Sequence, residues 1–246
     1  LEGTLRPTDP LSILAGGKAL VPETSTNLSA GFTTTLIDGL NLSIDYYDIA
    51  IENKILKSRA LPLPEGSSTE FEELAFYTNA LDTKTSGIDV VATYRIGNTN
   101  IGLALNTNDT KVESQRQVNG QDPVGQGNID NLELNLPKMK MTTTLTQQIG
   151  DDLSAMIRLN YYGESWDERG SYSEGTKDKI DATAFFDAEL SYKISANLNF
   201  VLGANNALNQ FPNQIATRMS QGMPYPRRSP LGYHGGMIFT RVSYNF

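Results

Sequence analysis

The chain has 246 residues, with 28 acids against 20 bases for a formal net charge of −8, no Cys and one His. That balance argues against a nucleic-acid partner, and without Cys and with a single His there is no disulfide framework, thiolate or His-cluster metal centre or Cys nucleophile. No metal or other cofactor is expected, and the chain does not read as an enzyme. Mean hydropathy is −0.34 and no 18 apolar residues run together, so no helix is available to cross a membrane; β-strands escape that test, because their alternation averages to a hydrophilic composition.

The chain opens on Leu1 rather than Met, with no basic segment followed by an apolar one, so it reads as processed or as a piece of something longer. Leu1 to Val21, rich in Gly and Pro, reads as the remnant of an extracellular loop. From there alternation dominates. Leu28, Ala30, Phe32, Thr34 and Leu36 form one face of a strand, Ile37 to Gly39 a tight turn, and Leu40, Leu42, Ile44 and Tyr46 the returning strand. The unit recurs. Ile88 to Ile96 turns at Gly97 to Asn100 and returns through Ile101, Leu103 and Leu105; Met139 to Ile149 turns at Gly150 to Asp152 and returns through Leu153 to Tyr161; Phe186 to Ile194 turns at Ser195 and Ala196 and returns through Leu198 to Ala204. A final strand carries Ile238, Thr240, Val242, Tyr244 and Phe246.

Short turns alternate with long polar connections near 53–83, 113–131, 163–180 and 207–232, far longer than hairpin loops usually are. Outer-membrane barrels put short turns at one end and long loops at the other. The apolar positions carry no charge, whereas the opposite face carries Asp45, Asp89, Arg95, Arg158, Asp187, Glu189, Lys193 and Arg241. Aromatic residues gather at two levels, Tyr46 and Tyr161 beside long loops and Tyr94, Tyr192, Phe200, Tyr244 and Phe246 near short turns or the terminus. The pattern predicts an all-β fold, a transmembrane antiparallel β-barrel, with about nine strands over 22–246. Nine is odd, so the sheet needs further strands to close.

The chain resembles the C-terminal part of the barrel of TonB-dependent outer-membrane receptors. The resemblance is carried in order by PETSTNLSAGF at 22–32, DGLNLSIDYYDIAIENKI at 38–55, TKTSGIDVVATYRIG at 83–97, RLNYYGESWD at 158–167, LGANNALNQFP at 202–212 and the closing FTRVSYNF. Where the family commonly has Asn-Leu-Phe-Asp, this chain reads Asn206, Ala207, Leu208, Asn209. The resemblance implies a 22-stranded barrel with a plugged lumen, of which this chain holds the last strands without plug or TonB box. It implies energised uptake of a scarce nutrient, a siderophore-bound iron, cobalamin or an oligosaccharide. The implied partners are the remaining barrel strands and the plug domain, the TonB–ExbB–ExbD complex acting through that plug, lipopolysaccharide and outer-membrane lipid, and the barrel-assembly machinery, which would read Ile238, Val242, Tyr244 and Phe246 as a C-terminal signal. The expected location is the bacterial outer membrane, with long loops outside and the short turns and C-terminus in the periplasm. A passive porin-like channel and a surface structural or adhesion barrel are the alternatives.

Candidate contact residues follow. Tyr162, Trp166 and Tyr172 read as an aromatic group in one loop that would stack on a sugar or planar chelate, or pack the loop itself. Arg218, Arg227 and Arg228 sit in a last loop free of acids, ready for an anionic substrate or for lipopolysaccharide phosphates. Arg158, Asp187, Glu189, Lys193 and Arg241 read as lumen-facing groups, paired across strands and with the plug. Asp167, Glu168, Glu174 and Asp178 invite a calcium reading but fit no EF-hand spacing, and read as a solvated acidic loop. His234 has no second His and is expected at the membrane interface, at the start of the last strand.

Overall fold

The computed structural model describes residues 2–35, 37–67, 70–168, 177–216, 219 and 222–246, with Glu168 in its backbone only. Leu36, expected on the first strand, lies outside them. In chain order the elements are β1 (Glu2–Thr4), α1 (Pro10–Leu14), β2 (Thr24–Thr34), β3 (Leu40–Lys57), β4 (Leu61–Pro62), β5 (Glu73–Ala75), β6 (Tyr77–Ile96) and β7 (Thr99–Gln115). They continue with α2 (Gln126–Glu133), β8 (Met139–Ile149), β9 (Leu153–Tyr162), β10 (Ser165–Glu168), β11 (Lys177–Ile180), β12 (Thr183–Lys193), β13 (Leu198–Asn205) and β14 (Met237–Tyr244).

The alternating segments pair as the period predicts. Among the described residues nine strands make one sheet in the order β14-β13-β12-β9-β8-β7-β6-β3-β2, each antiparallel to the next. The edges β2 and β14 do not pair with each other, so the barrel is partial and unclosed. The register sorts side chains by face: one row runs Phe32, Ile44, Val90, Leu105, Met141, Tyr161, Ala184 across seven strands without a charge. One residue along, on the opposite face, the row reads Gly31, Asp45, Asp89, Asn106, Lys140, Tyr162, Thr183. A one-residue slip of any strand would exchange these rows, which is why a two-faced sheet fixes its register so firmly.

The polar face lets backbone and rings approach closely at two glycines. A Cβ on Gly203 would overlap the Phe239 ring, and one on Gly87 would overlap Tyr47. In each case the aromatic ring on the neighbouring strand covers backbone that glycine leaves bare, an arrangement that strengthens a glycine-containing strand pair.

Three strands outrun the expected loop limits. β3, β6 and β7 have 18, 20 and 17 residues, against 11, 10 and 11 in β8, β9 and β12. On the otherwise apolar face the character changes above Tyr46, Ile88 and Thr107, where Lys84 pairs with Asp48 at 3.1 Å and Lys111 with Asp109 at 3.6 Å. Crossing a bilayer takes only about 9–11 strand residues. Tyr77 to Gly87 therefore continues the wall beyond the apolar band, by roughly 35 Å of strand at 3.3 Å per residue.

Buried apolar clusters lie where the connections pack together and against the upper ends of β3, β6 and β7. Ala15, Leu61 and Phe76 form one, with Leu63 and Val118 against it; Ala80, Leu81 and Val124 form another, with Leu56, Val112, Ile129 and Leu132. A single-layered sheet buries little on itself, and the packed centres form where connections fold against its strand ends and against one another. The segment read as a loop remnant is part of this: β1 lies parallel to β5 and completes a three-stranded sheet β1-β5-β4. α1 is started by Asp9, whose Oδ1 accepts from Leu11 N at 2.9 Å. Among the described residues no helix is long and apolar enough to cross a membrane, which bears on helices alone.

Candidate functional site

The polar face carries the chemistry. Arg158, Asp187, Glu189, Lys193 and Arg241 all project from it, since Arg158 is the register partner of Asp187 and the others follow in alternation. The expected cross-strand pairing is narrower than the pattern suggests: within this set and among the described residues, Arg241 with Glu189 at 3.4 Å is the one ion pair. Asp187 instead accepts from Asn160 Nδ2 at 2.8 Å and from Asn206 N at 2.9 Å, while Arg158 Nε donates to Thr144 Oγ1 at 3.3 Å. Asparagine reaches Asp187 first because its short amide sits two residues along the same face, and Arg158 is left to a hydroxyl.

The expected aromatic group does not assemble. Tyr162, the last residue of β9, stacks on Phe185 of β12, with centroids 6.1 Å apart and planes at 8°. Trp166 sits in β10 opposite Lys179, its N–H donating to Leu134 O at 2.9 Å. Tyr172 lies outside the described residues. Rings do gather in the last loop, where Tyr225 stacks on Phe211 at 6.1 Å and on Tyr233 at 6.0 Å. Sequence reasoning misses that trio because residues 211, 225 and 233 share no period. Tyr233 Oη closes the loop by donating to Arg227 O at 2.8 Å.

The basic loop is tied down. Arg227 donates to Asp167 from its backbone N at 3.1 Å, from Nε at 3.3 Å and from Nη2 at 3.1 Å. Asp167 raises the Arg227 pKa, chiefly through those hydrogen bonds. Arg228 approaches the same carboxylate at 3.7 Å and donates to Asn131 Oδ1 at 3.1 Å; Arg218 lies outside the described residues. The reading of a solvated acidic loop is corrected here. The Asp167 side chain is 0% exposed, Asp178 stands opposite it in the β10–β11 pair and is also buried, and Asp130 pairs with Lys177 at 2.6 Å. Glu174 lies outside the described residues, and among those described no group of acids and His is arranged to hold a metal. His234 is exposed in a bend that precedes β14 rather than in the strand.

At the top of the wall a clamp holds the stretch where the register shifts, between Ile51 and Ile55 of β3 against β6 and between Asp82 and Thr83 of β6 against β7. Arg116 grips Asp82 with Nη1 at 2.6 Å and Nη2 at 2.8 Å, and its Nη2 and Nε reach Asn53 Oδ1 and Asn79 O. Asn53 occupies left-handed backbone at φ 59°, and its N–H donates to Asp82 Oδ1 at 2.9 Å. These residues lie beyond the apolar band, and Arg116 holds the Asp82 carboxyl far below the usual carboxylate range. At the opposite end, Tyr244 and Phe246 meet edge to face at 5.2 Å, with Ile238 and Val242 exposed on the same apolar face.

Two concavities indent the polar face between successive rows. One, of about 550 Å³, lies low on the wall among Asn41, Thr93, Arg95, Asn100, Thr144 and Thr146. The other, of about 440 Å³, lies high on the wall among Asp89, Val91, Asn106, Lys140, Thr142 and Tyr162.

Residues 3–207 match the family model described as TonB dependent receptor-like, beta-barrel. No curated protein sequence matches the chain. The fold is similar to that of a mutant of the ferric enterobactin receptor PfeA from Pseudomonas aeruginosa, at 17% identity and TM-score 0.63 over 92% of this chain and 32% of that one. It is similar to the FrpB iron transporter from Neisseria meningitidis, at 16% identity and TM-score 0.64 over 91% and 31%. The copper transporter OprC matches at 18% identity and TM-score 0.63 over 98% and 34%. The chain thus spans about a third of each of these structures.

Proposed function

Because this chain belongs to the TonB dependent receptor-like β-barrel family, we propose that it forms the C-terminal wall and part of the outer vestibule of a receptor that imports a scarce nutrient across the bacterial outer membrane. The family is one of receptors and transporters rather than enzymes. The observation that carries the reading is the sorting of rows: charge-free outside, with acids, amides and lysines one residue along on the inside. Such a wall faces lipid on one side and an aqueous, protein-filled lumen on the other. In this reading 22–246 is barrel, the packed segment before it belongs to an extracellular loop, and the short turns and Phe246 lie in the periplasm.

The lumen-facing Arg158, Asp187, Glu189, Lys193 and Arg241 would meet a plug domain, through which the TonB–ExbB–ExbD complex would deliver energy. Siderophore-bound iron, cobalamin and oligosaccharides are the candidate cargo. The apolar rows would contact outer-membrane lipid and lipopolysaccharide, and Ile238, Val242, Tyr244 and Phe246 would present the assembly signal. Tyr162 and the exposed sides of Arg227 and Arg228 are the proposed contacts for solute at the mouth. The test is uptake by cells carrying the full-length receptor, with and without TonB. Uptake abolished by loss of TonB and by a protonophore is the expected result; TonB-independent leakage of unrelated small solutes would favour a passive channel.

A further inference from the structure

The upper concavity is built unlike the rest of the inner wall. Its upper side is the row Asp89, Asn106, Lys140, Tyr162 and its lower side the short row Val91, Ala104, Thr142. Phe185 backs the Tyr162 ring from β12, on the side away from the concavity, which leaves that ring as one fixed wall. Across the floor, Asp89 Oδ1 accepts from Asn106 Nδ2 at 2.7 Å, and Asn106 Oδ1 accepts from Asn108 Nδ2 at 3.3 Å, so the carboxylate and amide are held in place. Next along the row, between Asn106 and Tyr162, Lys140 forms no ion pair among the described residues.

We infer that this concavity binds a neutral, hydroxyl-bearing ring of the sugar type. Three features converge on that class. An aromatic face held rigid by a second ring suits the apolar C–H face of a pyranose. A carboxylate, an amide and an ammonium spread across one site supply acceptors and donors for a ring of hydroxyls, the sparse polar set in an otherwise apolar hollow that orients small ligands. Finally, the charges oppose each other: what Lys140 offers an anionic ligand Asp89 offsets, and the reverse holds for a cation, so net charge of either sign gains no advantage over a neutral ligand. The volume of about 440 Å³ lies within the range of small-molecule sites. Its level, at the upper limit of the apolar band, is where a solute leaves the loops and enters the lumen.

The site's role in uptake rests on the transporter reading; binding itself does not. The test uses the purified full-length receptor in detergent, titrated calorimetrically with maltotriose, xylotriose and chitotriose, and with a ferric tricatecholate as the charged counterpart. At least one trisaccharide is expected to bind at millimolar concentration or tighter. Tyr162→Ala should weaken it about tenfold while Tyr162→Phe retains it, and Asp89→Asn should weaken it severalfold. Tyr225→Ala, remote from the concavity, should leave it unchanged, and heat-modifiable gel mobility shows that each variant remains a folded barrel. Failure of all three sugars to bind, or binding indifferent to both Tyr162→Ala and Asp89→Asn, would overturn the site. Preferential binding of the charged chelate, lost in Lys140→Gln, would overturn the neutral class. Sugar binding with uptake that ignores TonB would leave the site standing and remove the transporter reading instead.

Discussion

Asp82 takes hydrogen bonds from Ser114 Oγ, from the Asn53 N–H and from both terminal nitrogens of Arg116. Because its folded pKa is depressed, the stabilisation is present above the unfolded value of about 3.9 and is lost as pH falls towards the folded one. Amide protection around Asn53 and Arg116, taken relative to the intrinsic exchange rate at each pH, should therefore be constant from neutral pH down to about 5 and fall only below about 4. Asp82→Asn should cost about 1 kcal/mol, a modest figure because the Asp82 and Arg116 side chains remain 26% and 44% exposed to screening solvent. Asp167 is the opposite case. Its side chain is 0% exposed, so Arg227→Gln, which removes the guanidinium hydrogen bonds to a buried carboxylate, should cost about 2–3 kcal/mol of local stability even with Arg228 at 3.7 Å. Protease nicking between β13 and β14 should report the loss. Neither carboxylate is readable as a site from sequence. Asp167 and Arg227 stand 60 residues apart, and the local pattern around Asp167 is only an acidic run.

The strands were legible because lipid and lumen impose a period of two, and the eight pairings from β2 to β14 follow the alternation. Their true length was not, because above the apolar band Lys84 and Asp48 replace apolar residues while backbone pairing continues unaltered. Tyr162 shows a related error: its neighbour in sequence, Trp166, suggests a shared loop cluster, yet a strand residue meets its cross-strand neighbour, here Phe185. The β13–β14 pair offers a direct measurement. Gly203→Ala forces the Phe239 ring aside and Phe239→Ala uncovers the glycine, so each should lower the unfolding midpoint in urea. The double variant should lose less than the sum, with a coupling of about 0.5–1 kcal/mol. If β14 also carries the assembly signal, removing Phe246 should reduce the amount of receptor recovered in the outer membrane without changing the unfolding midpoint of what is inserted.

At the scale of the whole molecule the number of strands matters as much as their chemistry. Nine alternating strands leave β2 and β14 running in the same direction, so joining them would demand a parallel seam in an otherwise antiparallel wall. An all-antiparallel barrel needs an odd number of further strands between these edges. Refolded alone into detergent, residues 1–246 should aggregate through the exposed edges; supplied with the complementary strands, they should give a heat-modifiable barrel. The packed centres at Phe76 and Leu81 add a consequence for divergence between relatives. In most proteins the core resists substitution and the surface connections drift. Here the lipid-facing rows accept any apolar residue of suitable shape, while close-packed interiors sit in the connections and under the strand ends they cover. New specificities in this lineage must therefore arise around fixed anchors such as Leu61 and Phe76, and comparison of relatives should find the slowest-changing apolar positions out in the loops.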